Sequence, residues 1–257
     1  MRVLFIGDVH GSDKWIEPVN YALLHFVDKI VFVGDYLDSF NIKPVVILDN
    51  FKKIIGLKKK YPDKIILLIG NHDYAYYNNF RAISGFNHQM YESYYRLLRD
   101  NWSLFDIAWG YPIDKASDFC QKYTLVTHAG LSKNFYERYI LDETQSITSV
   151  SKRPSKMNQI FSDKYLDCLQ IHEILNYFKD ESETMWKVGS ERGGNGCGSI
   201  LWADKNEILQ DRFRGINQII GHTGCKYISQ YKKDGDDLYF IDINNYDKQV
   251  GTLMLEL

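Results

Sequence analysis

The stretch LLIGNHDYAYY, residues 67–77, decides the fold. Its first part closes an aliphatic run from Lys64 to Gly70, and Asn71, His72 and Asp73 follow directly. A β-strand that ends at Gly70 delivers those polar side chains to one rim of a sheet, the place where open α/β sheets keep their chemistry. Two earlier runs have the same form, RVLFIG at 2–7 and KIVFVG at 29–34, each near-continuously apolar like a strand buried on both faces. Helix-like segments separate them. The first runs from Asp13 to Val27 and carries Trp15, Ile16, Val19, Leu23 and Phe26 at helical spacing, with Ser12 or Asp13 as cap and Pro18 near the first turn. The second starts at Pro44, passes through Ile47, Leu48, Phe51, Ile54 and Ile55, and stops at KKKYPD. Strand, helix, strand, helix, strand predicts a parallel βαβαβ start.

Beyond it, HQMYESYYRLLRD (88–100) reads as a helix and YTLVTHAG (123–130) as a strand ending in a polar turn. The segment from Leu141 to Met157 has no periodicity and reads as a loop. A helix is expected from Asn158 to Lys179, packing Ile160, Phe161, Leu166, Leu169, Ile174, Leu175 and Phe178. KVGSERGGNGCGS (187–199) is glycine-dense but matches no phosphate-binding loop, so it reads as a flexible connection. Strand-like runs close the chain: NQIIGHT, DLYFIDI and VGTLMLEL.

At 257 residues with 45% hydrophobic content, one large α/β domain over residues 1–257 is expected. A net charge of -2 gives no broad basic field, so nothing indicates a nucleic-acid partner. No run approaches the roughly 18 apolar residues of a membrane span, and the opening run is far shorter than a signal segment, so a soluble, cytoplasmic protein is expected. Cys120, Cys168, Cys197 and Cys225 lie far apart without a CxxC pair, which favours reduced thiols.

The strand-like runs end alike. GDVHG gives Asp8 and His10, GDYLD gives Asp35 and Asp38, GNHD gives Asn71 and His72, THAG gives His128 and GHT gives His222. In the first three a glycine just before the polar group lets the backbone turn sharply at the rim, and parallel strands with a common exit edge bring all these groups together. Nitrogen and oxygen donors without thiolates suit manganese, iron or zinc better than calcium or copper(I). Asp35 placed between two ions bridges them, giving Asp8, His10 and Asp35 to one, and Asp35, Asn71, His128 and His222 to the other. Any one of these motifs arises easily by chance; five in order do not. His25, His88 and His172 lie in helix-like stretches without companion ligands and are expected to be structural.

The order GDxHG, GDxxD, GNHD, HAG, GHT resembles the calcineurin-like metallophosphoesterases, and more narrowly their phosphoprotein phosphatase branch. That branch includes bacterial and phage phosphatases and symmetrical dinucleoside tetraphosphate hydrolases. GSILWAD at 198–204 adds to the likeness, and YFIDINNYDKQVGTLMLEL is similar to the closing hairpin of bacterial members. The resemblance implies a four-layer αββα sandwich, a dinuclear centre of two divalent ions with manganese foremost and iron or zinc as alternatives, and an Asp38 that orients His72. A carboxylate on an imidazole fixes its tautomer and keeps it protonated, so His72 is expected to act as general acid while a metal-bridging hydroxide attacks phosphorus. Asp73 is expected to cap or brace the turn.

Two departures concern the substrate. Ser39 stands where the branch carries a phosphate-gripping arginine, and Asp204 and Lys205 follow the tryptophan where a second is common. Arg192, Arg212, Arg214 and Lys205 are the candidate phosphate ligands. The expected activity is hydrolysis of phosphomonoesters, on a phosphorylated protein or a small phosphoester. The alternative is a dinucleoside polyphosphate or another nucleotide-type phosphoanhydride, for which Tyr74, Tyr76 or Tyr77 could stack on a base, although packing under the loop is the more expected place for them. An inactive binding scaffold is the remaining reading, disfavoured because neither the ligands nor His72 is missing.

Overall fold

A computed structural model describes residues 1–112, 123–141, 171–243 and 249–257, and in it the three leading apolar runs are strands. They are β1 (Arg2–Ile6), β2 (Lys29–Phe32) and β3 (Ile65–Leu68), paired in parallel. Between them lie α1 (Ile16–Leu24) and α2 (Pro44–Lys60). Helix α1 is shorter than the pattern predicts. Phe26, with φ 54, turns the chain out of the helix, and the expected caps do not act as caps: Trp15 occupies the N-cap without a side-chain bond, and the Ser12 hydroxyl accepts from the Lys14 amide ahead of it. Helix α2 starts at Pro44, whose missing N–H costs nothing in the first turn.

The site stretch continues directly into α3 (Asn71–Asn78), a helix the apolar pattern did not announce. The middle of the chain adds α4 (Tyr91–Arg99), β4 (Phe105–Asp106), β5 (Ala108–Pro112), β6 (Tyr123–Thr127) and α5 (Lys133–Phe135). Then follow α6 (Ile171–Tyr177), α7 (Ser182–Met185) and α8 (Lys205–Asp211). The last strands are β7 (Ile216–Ile220), β8 (Ser229–Lys233), β9 (Asp236–Phe240) and β10 (Thr252–Glu256). Cys120, Cys168, the 142–157 loop segment and residues 158–170 of the expected long helix lie outside the described residues.

Two five-stranded sheets result, in the orders β10-β1-β2-β3-β4 and β5-β6-β7-β9-β8. The end of the chain is therefore not a hairpin: β9 belongs to the second sheet, while β10 crosses to the first and runs antiparallel to β1. The hairpin is β8 with β9, turned at Asp234 (φ 51) and Gly235 (φ 89), the two left-handed residues that a tight two-residue hairpin turn requires.

Alternation along the strands builds the layers. Val3, Phe5, Val31, Val33 and Leu68 face Val126, Ile219 and Ile241 in a core between the sheets. The opposite faces, Leu4, Ile6, Ile30, Phe32, Ile65 and Leu67, pack with Val19 of α1 and Phe51 and Ile54 of α2. On the second sheet, Tyr123 and Leu125 are covered with Ile171, Ile174 and Leu175 of α6, and Ile220, Leu238 and Phe240 with Ile208 of α8. The architecture is a four-layer αββα sandwich. Asn176 of α6 stitches the sheets where β4 gives way to β5, accepting from the Ile107 and Ala108 amides and donating to the Ala108 carbonyl. With β1, β2 and β3 parallel in one sheet and β6, β7 and β9 parallel in the other, the strand ends converge on one rim.

Candidate metal centre and active site

Asp8, His10, Asp35, Asp38, Asn71, His72 and His222 line one cleft of about 660 Å³, and His128 lies buried beneath it. The ligand atoms of Asp8, His10 and Asp35 lie within 4.8 Å of one another, as do those of Asp35, His128 and His222. Asp35 belongs to both groups. His10 Nε2 is 3.7 Å and His128 Nε2 3.4 Å from the same Asp35 oxygen, and Asn71 Oδ1 is 2.9 Å from His128 Nε2.

Backbone groups hold these side chains. His10 Nδ1 sits 3.1 and 3.0 Å from the Leu37 and Asp38 carbonyls, and His128 Nδ1 3.0 Å from that of Val33, so each ring keeps Nε2 for the cluster. Asp8 accepts from the His222 amide and Asp35 from the His72 amide at the start of α3. Asp73 braces the turn: Oδ1 accepts from the Tyr36 and Leu37 amides, and Oδ2 from Gly70. His72 Nδ1 is 2.9 Å from Asp38 Oδ2.

The sharp turns lie where the sequence did not place them. His10, Asp35, Asp38 and His222 themselves take positive φ, from 44° to 62°, a conformation Asp and His tolerate better than most residues. Of the four strand-end glycines only Gly34 does so. Gly70 and Gly221 serve close approach instead, since a Cβ there would lie 2.1 Å from Asp35 Oδ1 or 2.2 Å from Asp8 Oδ1.

Negative charge is concentrated in this region. Burial, reinforced by Asp242, pushes the Asp8 carboxyl well above the usual range. Burial and Asp35 push Asp73 up to about 8 and Asp242 to about 7. Burial works the same way on Asp35, yet His128 and His72 hold it well below its ordinary value. For His128, burial lowers and Asp35 and Asp8 raise, with the net result about 9. His222 is held down by burial and by His128, and its buried Nε2 has no hydrogen-bond partner. An orphaned imidazole nitrogen beside mutually repelling buried carboxylates, in a set of oxygen and nitrogen donors, fits divalent cations.

The cationic candidates separate. Arg192 lines the cleft, with Nε 3.0 Å from Asp204 and Nη2 2.9 Å from the Thr223 hydroxyl. Arg212 is not part of the cleft lining: it is buried, and its Nη2 contacts Asp234, Asp236 and the Lys233 carbonyl at the turn of the β8–β9 hairpin. Arg214 is exposed and not part of the cleft lining. Lys205 points to Cys225 and Ser229 and lies over the Tyr231 ring. Tyr74 and Tyr76 are fully buried and Tyr77 stacks on Trp102, so these tyrosines pack within the protein, the reading preferred for them over stacking on a base. The sequence reading missed Asp242, which lines the cleft just after β9. Its signal was present, a polar residue closing the run DLYFI in the same manner as the other strand ends.

Residues 1–226 match the family model described as calcineurin-like phosphoesterase. The chain belongs to that family. Among curated relatives, this phosphoesterase is 36% identical over 73 residues to serine/threonine-protein phosphatase PP1-1 of Saccharomyces cerevisiae; the match spans 28% of the present chain and 22% of the yeast one. Among solved structures it is similar to a Saccharomyces cerevisiae serine/threonine phosphatase with similarity to human PP5, at 15% identity and TM-score 0.47, covering 100% of this chain and 80% of that one. A dimetal phosphatase from Danio rerio aligns at 12% identity and TM-score 0.39, over 94% of this chain and 87% of that one. No helix among the described residues is long and apolar enough to cross a membrane.

Proposed function

We propose that this phosphoesterase is a dinuclear-metal phosphatase acting on phosphomonoesters, with phosphoserine or phosphothreonine in proteins as the leading substrate class. The observation that carries the reading is the His72–Asp38 pair, 2.9 Å apart, in the same cleft as the ligand cluster. Asp8, His10 and Asp35 would hold one ion and Asp35, Asn71, His128 and His222 the other, with manganese best suited and iron or zinc as alternatives. Divalent ions bound there supply charge to phosphoryl oxygens and acidify water.

The chain's own residues supply the rest. Asp38 accepts from Nδ1, which leaves Nε2 of His72 to carry the proton for the leaving oxygen. Burial works to lower the His72 imidazole, but Asp35 and the Asp38 hydrogen bond outweigh it and raise it above its ordinary value. Arg192 is the cationic group for substrate phosphate: its two protein bonds engage two of the five guanidinium hydrogens and leave the fork directed by Asp204 and Thr223. A dinucleoside polyphosphate is the second reading, weakened by the burial of Tyr74 and Tyr76.

His72→Asn tests the assignment. It should retain two equivalents of metal by elemental analysis and lose roughly 10²- to 10⁴-fold in kcat on a phosphoserine-like substrate, but distinctly less on nitrophenyl phosphate, whose leaving group barely needs a proton. Equal losses on both substrates, or loss of metal, would make His72 a ligand or a structural residue.

A further inference from the structure

We propose that Tyr76 is a positioning residue for the general acid: its hydroxyl clamps the second oxygen of Asp38 and thereby fixes the His72 imidazole. The inference rests on the assignment of His72 as proton donor and adds a residue that no strand-end motif contains. Tyr76 lies four residues after His72 on α3, so both side chains share a helix face. Its hydroxyl is 2.5 Å from Asp38 Oδ1, while Asp38 Oδ2 is 2.9 Å from His72 Nδ1. The carboxylate therefore has one oxygen on the tyrosine and the other on the histidine.

The direction of these bonds follows from counting hydrogens. A phenol has one proton to donate and lone pairs to accept with. The Asn87 amide donates to the Tyr76 oxygen at 2.6 Å, which leaves the phenolic proton for Asp38. Burial and the neighbouring Asp38 charge raise the phenol far above its ordinary value, so it remains a donor at any working pH. Asp38, receiving from Tyr76, is the acceptor for His72, which must present Nδ1–H and keep Nε2 for the cleft. The chain of bonds runs from Asn87 through Tyr76 to Asp38, and His72 is held against its far side.

The ring is locked independently of its hydroxyl. It stacks on Phe86 at 4.3 Å and meets Tyr94 edge-on at 5.0 Å, with no exposed surface. Phe86 and Asn87 directly follow the rim segment Ala82–Gly85 that lines the cleft. Asp38 itself sits at φ 61, in the left-handed region, and its carboxylate is held on one side by His72 and on the other by Tyr76. Without the phenol, Asp38 Oδ1 loses its donor and the carboxylate can rotate away from Nδ1.

Tyr76→Phe removes the hydroxyl and keeps the ring packing. Its kcat should fall roughly 5- to 30-fold on an alkyl phosphate and less than about 3-fold on nitrophenyl phosphate, because only the step that needs a proton depends on the imidazole's placement. Metal content should be unchanged, and in a His72→Asn background the Tyr76→Phe change should cost nothing further, as expected of two residues acting through one device. Equal losses on both substrates, or a loss that persists without His72, would make Tyr76 a structural residue and overturn the clamp. If His72→Asn alone shows no leaving-group dependence, the general-acid assignment fails and the clamp with it, whereas a leaving-group-dependent His72→Asn beside an unaffected Tyr76→Phe overturns the clamp alone.

Discussion

Gly70→Ala is the most economical perturbation of the centre, because it adds one methyl group without replacing any ligand. Gly70 has φ -96 and ψ 172, which alanine adopts freely, so no backbone strain confuses the result. The new Cβ would lie 2.1 Å from Asp35 Oδ1, 2.3 Å from the Asp35 amide nitrogen and 2.7 Å from its carboxyl carbon. Ordinary contact begins near 3.4 Å, so Asp35 or the β3–α3 turn must move by about 1 Å. Neither can move freely: Asp35 Oδ1 accepts from the His72 amide, and the Gly70 amide donates to Asp73. Overpacking of this kind costs about 1–3 kcal/mol of stability, and a 1 Å misplacement at a reacting centre costs roughly 10²-fold in rate. Since Asp35 belongs to both ligand groups, both ions should weaken together. The assay is elemental analysis, nitrophenyl phosphate turnover and a thermal melt, with Gly56→Ala of α2 as control, since nothing lies within 4 Å of the added methyl there. The control should match or slightly exceed the parent in stability. A Gly70→Ala protein with two full equivalents of metal and parental kcat would refute the bridging place given to Asp35.

Arg192→Ala should raise KM or cut kcat/KM about tenfold while the melt and metal content stay near parental. Arg212→Ala should do the opposite, leaving kinetics intact below its melt but losing about 3–5 kcal/mol, because it strands the buried Asp236; a low-activity, fully stable Arg212→Ala would return that residue to the site. The third expectation concerns pH. Burial holds the His172 imidazole below its ordinary 6.5, with Glu173 opposing only in part, and Nδ1 takes a hydrogen bond with the Tyr123 hydroxyl. Because the folded value is the lower one, the unfolded chain binds the proton first as pH falls. The contribution is complete above about pH 6.5 and is lost on acidification through the folded value. Melts of the parent and His172→Asn between about pH 8 and pH 5 should show a shallower acid decline in the variant, and identical slopes would refute it.

How much of this was legible in the sequence depended on whether the deciding contacts were local. The runs ending at Gly7, Gly34 and Gly70 read as strands because a strand covered on both faces needs an unbroken apolar run. The same lack of alternation hid which sheet each strand joins. Thus β9 and β10, adjacent in sequence, look like a hairpin, but β10 finds its partner at Arg2–Ile6. Strand β8 carries exposed polar residues on an edge, and it escaped notice because an edge strand need not be apolar. Helix α3 was masked by its own chemistry: the residues of its first turn are a ligand, an acid and a brace, with no apolar stripe to mark a helix.

The ligands were legible for a related reason. Each strand end is a short motif, and the sheet topology brings the motifs together without further instruction. Their support is different in kind, since the groups that fix the ligands and the partner of His72 come from distant parts of the chain: Val33 for His128, Leu37 for His10, Tyr76 for Asp38. Such partners carry no local signature. In the sequence nothing sets Tyr76 apart among three close-set tyrosines, and only the packing of α3 against Phe86 and Tyr94 gives its hydroxyl a single acceptor. The positive φ values make the same point from the backbone. The sequence supplies glycines beside the ligands, and flexibility is the obvious reading. The structure uses Gly70 and Gly221 for their missing Cβ and places the left-handed turns on His10, Asp35, Asp38 and His222. Rigid placement of the ligand side chains, more than freedom of the loops, is therefore what these glycines provide, and the steric clash at Gly70 is the feature through which a single methyl group can disclose it.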